Sequence, residues 1–211
     1  MREGSITDAE LEQDFPVLGV LYDSCAVGGR AYRRASRERL DLLSGRVGGD
    51  LVAAMRQQAV PGAYRAFARQ IGLDPDGDAM PLEKTLMQRI RAGRFVPDDQ
   101  MQDPCTVAML ETGVPVWVAD DAALEGRLAI GSLPGVDDAA RLDPAPARPG
   151  DLAVWDASRP VSLLLGEVAG DLVPTRRTHA VRLFALRVEG VPDASVREAL
   201  WTASQLTGPA A

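Results

Sequence analysis

Apolar positions in the first hundred residues recur mostly at helical spacing. The exception is Pro16-Val-Leu-Gly-Val-Leu-Tyr22, a short apolar run after an acidic leader, which predicts a buried strand. From Ala31 to about Gln58 the pattern is helical, with breaks near Gly45 and Gly48-Gly49. Its first part sets Tyr32, Ala35, Ser36, Leu40 and Leu43 on one face and Arg30, Arg34 and Arg37 on the opposite one. Pro61 suits the first turn of a helix over Ala63 to Ile71, which Gly72 ends. Asp74-Pro-Asp-Gly77 has the chemistry of a turn, and Pro81 to Ala92 predicts an amphipathic helix with Leu82, Leu86 and Ile90 on its buried side.

The second half changes character. A helix over Pro104 to Glu111 closes at Gly113, and strands are expected at Val114–Ala119, Arg127–Leu133, Asp151–Trp155 and Val161–Leu165. Pro144 to Pro149 is a surface loop between strands, Ala180 to Glu189 the longest strand, and Ala194 to Leu206 a closing helix. This order predicts a single α+β domain over residues 1–211, with a mixed β-sheet in the second half and helices packed around it.

With 211 residues, 46% hydrophobic and 25% charged, the composition is that of a globular chain with a sizeable core. No run approaches the ~18 apolar residues of a membrane span. The opening residues lack an apolar signal region, and Cys25 and Cys105 make no disulfide framework, so a reducing cytoplasm is the expected setting. A net charge of −7 argues against duplex DNA as a partner. Lys84 is the only lysine among the basic residues. For Arg30, Arg34 and Arg37 two readings stand side by side: a solvated face interrupted by Glu38 and Asp41, or a stripe that contacts phosphate.

His179 is the only histidine, which excludes sites built on two imidazoles. There is no glycine-rich nucleotide loop and no GxSxG elbow, the cysteines lack metal spacing, and no cofactor or metal is expected. The pairs Asp98-Asp99, Asp120-Asp121 and Asp137-Asp138 sit in turn-like contexts that suit capping better than acid–base work. Aromatic residues make up 5% of the chain, and Trp117, Trp155 and Phe184 all fall in or beside second-half strands. They read either as core or as the wall of a side-chain pocket.

Five stretches carry a family resemblance, in order. Asp103-Pro-Cys-Thr-Val-Ala-Met-Leu-Glu-Thr-Gly-Val-Pro115 resembles the V-D-x-x-N-x-V-x-L-E-x-G-x-P run of the B3/B4 domain in the β subunit of bacterial phenylalanyl-tRNA synthetase. Asp120-Asp-Ala-Ala-Leu-Glu-Gly126 is similar to its D-x-x-K-L-E-G, and Asp151-Leu-Ala-Val-Trp-Asp-Ala-Ser158 to its D-L-V-I-A-D-A-S. Leu164-Leu-Gly-Glu-Val-Ala-Gly170 resembles L-A-G-V-M-G-G, and Thr175 and Thr178 match threonines ahead of the last long strand. Ala63-Tyr-Arg-Ala-Phe67 with Gly72-Leu-Asp-Pro75 resembles Y-R-A-x-G-L-D-P of free-standing B3/B4 proteins, so the likeness runs from about Pro16 to Leu206. The synthetase's catalytic domains have no counterpart here.

The resemblance implies an editing-type pocket that receives an amino acid on the 3′ end of tRNA and hydrolyses its ester by positioning water. It places Asp103, Cys105, Thr106, Trp117, Leu165, Gly166 and Phe184 at the pocket, and Arg176 and Arg177 at its mouth as RNA contacts. Leu165 and Gly166 fall where the family's backbone lines the pocket. Cys105 stands in place of a threonine, Thr106 of an asparagine, Trp117 of a histidine, and Phe184 of the glutamate that recognises a tyrosine hydroxyl. The implied partner is therefore a tRNA 3′ end or aminoacyl-tRNA, with or without turnover. The alternative is a non-catalytic module for a small amino-acid-like ligand.

Overall fold

The computed structural model describes residues 1–46, 54–97, 101–142 and 147–209. In chain order these form β1 (Arg2–Glu3), β2 (Ser5–Ile6), α1 (Ala9–Asp14), β3 (Gly19–Ala26), α2 (Arg30–Ser44), α3 (Ala59–Gln70), α4 (Pro81–Ala92) and α5 (Gln102–Thr112). There follow β4 (Trp117–Asp120), β5 (Ala129–Ser132), α6 (Val136–Ala140), β6 (Leu152–Trp155), β7 (Pro160–Leu163), β8 (Ala180–Arg187) and α7 (Asp193–Thr207). The expected α+β class holds.

Local chemistry sets the helix ends. Asp8 caps α1 by accepting a hydrogen bond from the Glu10 amide at 2.9 Å. Pro81 opens α4, and Gly93, at φ 76°, closes it. Gly113, at φ 77°, ends α5 and donates its amide to the Met109 carbonyl at 2.9 Å.

The strands form two sheets. The first is wholly antiparallel, in the order β1-β3-β8-β4. The second, β2-β5-β6-β7, is the mixed one, because β2 runs parallel to β5 while its other pairs are antiparallel. The expectation of one mixed sheet drawn from the second half is corrected on this point. The long strand β8 pairs antiparallel with β3 from the first half over eight residues, which sets the buried Val20, Leu21 and Tyr22 beside the buried Phe184, Ala185 and Leu186.

The strand read at Pro16–Tyr22 starts at Gly19 and continues to Ala26. Its end was hidden by Asp23 and Ser24, whose polar side chains find specific partners: Asp23 meets the N-terminal amine at 3.2 Å, and Ser24 donates to Asp121 at 3.0 Å. The short strands β1 and β2 carry no pattern of their own. They bridge the two sheets through Gly4, where a Cβ would lie 2.1 Å from the Leu128 carbonyl oxygen. Only glycine fits there.

Helices α5 and α7 pack together, and α7 covers β3 and β8. A smaller apolar cluster, including Leu40, Leu82, Leu86 and Phe95, joins α2 and α4 to α5. Among the described residues no helix is long and apolar enough to cross a membrane. Asp98-Asp99, part of the expected loop at Pro144–Pro149, and the Gly48-Gly49 break lie outside the described residues.

Candidate functional site: two adjoining clefts

The register of the first sheet aligns three aromatic residues across three strands. Tyr22 of β3 pairs with Phe184 of β8, which pairs with Trp117 of β4. Because β4 is the edge strand, Trp117 is the one of the three that reaches solvent. Its ring stacks on Phe184 at 5.7 Å between centroids and 15° between planes. Its indole N–H donates to the Gly166 carbonyl oxygen at 2.7 Å. That bond ties the edge of one sheet to the turn after β7 in the other.

The turn is itself strained. Gly166 donates its amide to the Leu163 carbonyl at 3.0 Å, and Leu165 is held at φ 63°, in the left-handed region that leucine rarely occupies. Met101, just before α5, has φ 65°, and these two are the non-glycine residues at positive φ among the described residues. Both line clefts, as strained backbone at functional positions often does.

The larger cleft, of about 820 Å³, opens between α4, the first half of α5, the start of β4 and the turn after β7. Asp103, Cys105, Thr106, Trp117, Leu165 and Gly166 all line it. Phe184 does not: it is fully buried behind Trp117 and shapes the cleft only by supporting that ring. Arg176 and Arg177 are also absent from this lining; Arg176 lines the neighbouring cleft instead. Lys84 and Arg91 on α4 and Glu167 on the turn supply exposed charges around an apolar wall that includes Phe95, Val116 and Val168. Sequence reasoning missed the α4 contribution, whose signal was the exposed side of an otherwise ordinary amphipathic helix.

The second cleft, of about 540 Å³, lies over the first turns of α2 and reaches the end of α7. Arg30, Arg33, Arg34, Arg37 and Arg176 line it together with Glu38, Asp41 and Asp103. The two clefts therefore share Asp103 as a common wall.

Neither cysteine is an activated nucleophile. Burial pushes the Cys25 thiol up to about 11, and the Cys105 thiol, also raised by burial, higher still. The exposed His179 lines neither cleft. Asp120 and Asp121 are occupied structurally: Thr178 donates to Asp120 at 2.6 Å, and Arg182 donates to Asp121 at 2.7 Å. Asp137 and Asp138 lie in the first turn of α6, where negative charge meets the positive end of the helix dipole, while the N-cap itself is Gly135 with no side-chain cap. Among the described residues no group of three or more His, Cys, Asp and Glu could hold a metal ion.

The thiols make a direct prediction. Both cysteines are buried and their thiols are held in the neutral form at pH 8, so a chromogenic disulfide reagent should release almost no thiol from the folded protein and two equivalents after unfolding. The linkage has a definite sign. The neutral thiol is favoured in the fold, so its contribution to stability is full below pH 9.0 and is lost as pH rises toward about 11. A thiol that reacted rapidly at pH 7 in the folded protein would contradict the first expectation, and stability that did not fall between pH 9 and 11 would contradict the second.

No protein-family model matches the sequence, and no curated protein matches it.

Proposed function

We propose that the chain is a B3/B4-type binding protein whose larger cleft receives the aminoacyl group at the end of a tRNA, or a small compound carrying the same group. One observation carries this reading. Six residues that the family resemblance assigns to a pocket come from three segments, 103–106, 117 and 165–166, and they converge on one cleft. An apolar wall beside both signs of charge suits an amino acid: Trp117, Leu165 and Val168 would meet the side chain, while Glu167 and Asp103 would face the ammonium group. Lys84 and Arg91 would face carbonyl or phosphate oxygens. The reading sets the protein in the cytoplasm, where charged tRNA is found.

By the resemblance, the family's threonine, histidine and glutamate are replaced by Cys105, Trp117 and Phe184, and its asparagine by Thr106; Phe184 is buried. No acceptor is left in that position for a phenolic hydroxyl, so preference for tyrosine over phenylalanine is expected to be lost. With the thiols protonated and no imidazole in the cleft, binding without side-chain catalysis is the form of the proposal.

A panel of aminoacyl-tRNAs, including mischarged tRNA(Phe), tests it by binding and by deacylation. At least one species should bind. Trp117→Ala should weaken that binding by more than about 1 kcal/mol, roughly fivefold or more. Trp117→Phe, which keeps a ring but loses the donor to Gly166, should lose less. Turnover above the spontaneous rate would replace a binding module by a deacylase. Failure to bind any charged tRNA or free amino acid would remove the reading.

A further inference from the structure

The first turn of α2 runs against the usual chemistry of helix N-termini. Helices gather acidic residues there, because the first amides lack intrahelical acceptors and that end of the macrodipole is positive. Helix α2 has no acidic residue in its first turn, no side-chain cap at Gly29, and arginines at 30, 33 and 34. The guanidinium groups of Arg30 and Arg33 make no hydrogen bond or ion pair among the described residues. Arg34 is partnered by Glu38 at 2.7 Å, and Arg37 lies 4.0 Å from Asp103. In a protein of net charge −7, the described residues lining this 540 Å³ cleft set five arginines against three carboxylates, a local reversal of sign among the described residues.

The site is held on rigid elements. The Gly28 amide donates to the Thr207 carbonyl at 2.8 Å, and Ser36 donates its hydroxyl to the Leu206 carbonyl at 3.1 Å. Those bonds fasten the start of α2 to the end of α7. A Cβ on Gly28 would lie 2.3 Å from the Tyr32 ring, so the chain enters the helix by a path that only glycine allows.

We propose that this arginine cleft is an anion site that binds a phosphate group of the same ligand whose end enters the larger cleft across Asp103. Arg30 and Arg33, which line the cleft, supply the charge, and they stand at the end of α2 where the helix dipole is positive. The placement in one continuous ligand rests on the aminoacyl reading above. The phosphate chemistry does not. That phosphate belongs either to an RNA backbone near its 3′ end or to a free nucleotide, and the two sources are separable.

The test uses the full chain, a fluorescent single-stranded RNA ending in CCA, and AMP and inorganic pyrophosphate as direct ligands and competitors. Arg30→Ala with Arg33→Ala should weaken RNA binding by at least about tenfold and reduce the salt slope, since each lost single-strand phosphate contact removes roughly 0.7 from it. Pyrophosphate should displace the RNA from wild type. Arg30→Glu guards against a folding artefact: an acid in the first turn suits the helix, so its melting temperature should be unchanged or higher while phosphate binding is lost. Binding of pyrophosphate or AMP with the same arginine dependence, but no RNA binding, supports the site and assigns it to a free nucleotide. If the arginine variants and wild type bind every phosphate probe alike, or none binds, the site is overturned. Arginine-dependent phosphate binding with no aminoacyl ligand bound would leave this site standing and remove only the aminoacyl reading.

Discussion

Phe184→Ala is expected to destabilise the protein by about 3–5 kcal/mol, the usual cost of emptying a fully buried phenylalanine site. Phe184 has no solvent exposure, and it lies between Tyr22 and Trp117 in the cross-strand row. The truncation removes the ring on which Trp117 stacks, a contact worth about 0.5–1.5 kcal/mol beyond its buried area. Trp117 would then keep its bond to Gly166 without its support. Ligand binding in the larger cleft should therefore weaken even where the variant is still folded. Urea unfolding followed by circular dichroism gives the first quantity, and binding below the unfolding transition gives the second. A loss under about 1 kcal/mol would mean that the row is not part of the core. Phe184→Leu, which fills much of the volume, should recover most of the stability and little of the Trp117 orientation.

Glu83→Ala is expected to cost about 3 kcal/mol, because it leaves a buried guanidinium without its main counter-charge. Arg65 and Glu83 are both buried, and Arg65 donates to Glu83 and to the Pro75 carbonyl. Arg56 donates to the other oxygen of Glu83 at 2.9 Å. The loss falls at the low end of the range for broken buried pairs, since Pro75 and Asp76 still accept from Arg65. Removing both charges with Arg65→Met and Glu83→Leu should restore much of that stability, so the difference between single and double variants is the diagnostic quantity. Equal losses would assign the effect to packing instead. The pair also positions α4, which carries Lys84 and Arg91, so the single variant should loosen that wall of the larger cleft.

The long amphipathic helices α4 and α7 were legible from their one-sided apolar spacing, and Pro81 and Gly93 marked the ends of α4. Ile90, expected on the buried side of α4 with Leu82 and Leu86, is instead exposed, because the neighbouring elements cover only the other two. The strands β5 to β8 were legible from apolar runs between turn residues, with ends displaced by one or two positions. The resemblance brought Asp103, Cys105, Thr106, Trp117, Leu165 and Gly166 forward together. It could not separate Trp117, at the surface of the aromatic row, from Phe184, at its centre. That difference depends on β4 being an edge strand, which is a property of pairing and not of local sequence.

The arginines show the same division. Helical spacing put Arg30, Arg34 and Arg37 on the polar side of α2, opposite Leu40, and the helix does bury Ser36, Leu40 and Ser44. Spacing along one helix says nothing about what stands across from it. Only the tertiary structure set the end of α7 against α2, turned that polar face into the wall of a cleft and put beside it Arg176, more than a hundred residues away in the chain. The sequence determined by itself the α+β class, the main helices and the apolar strands, because each follows from the burial of one segment's own residues. The tertiary structure decided the division into two sheets, the exposure of Trp117 over Phe184 and the two clefts that meet at Asp103. Those depend on free energies shared between distant segments, which no local pattern encodes.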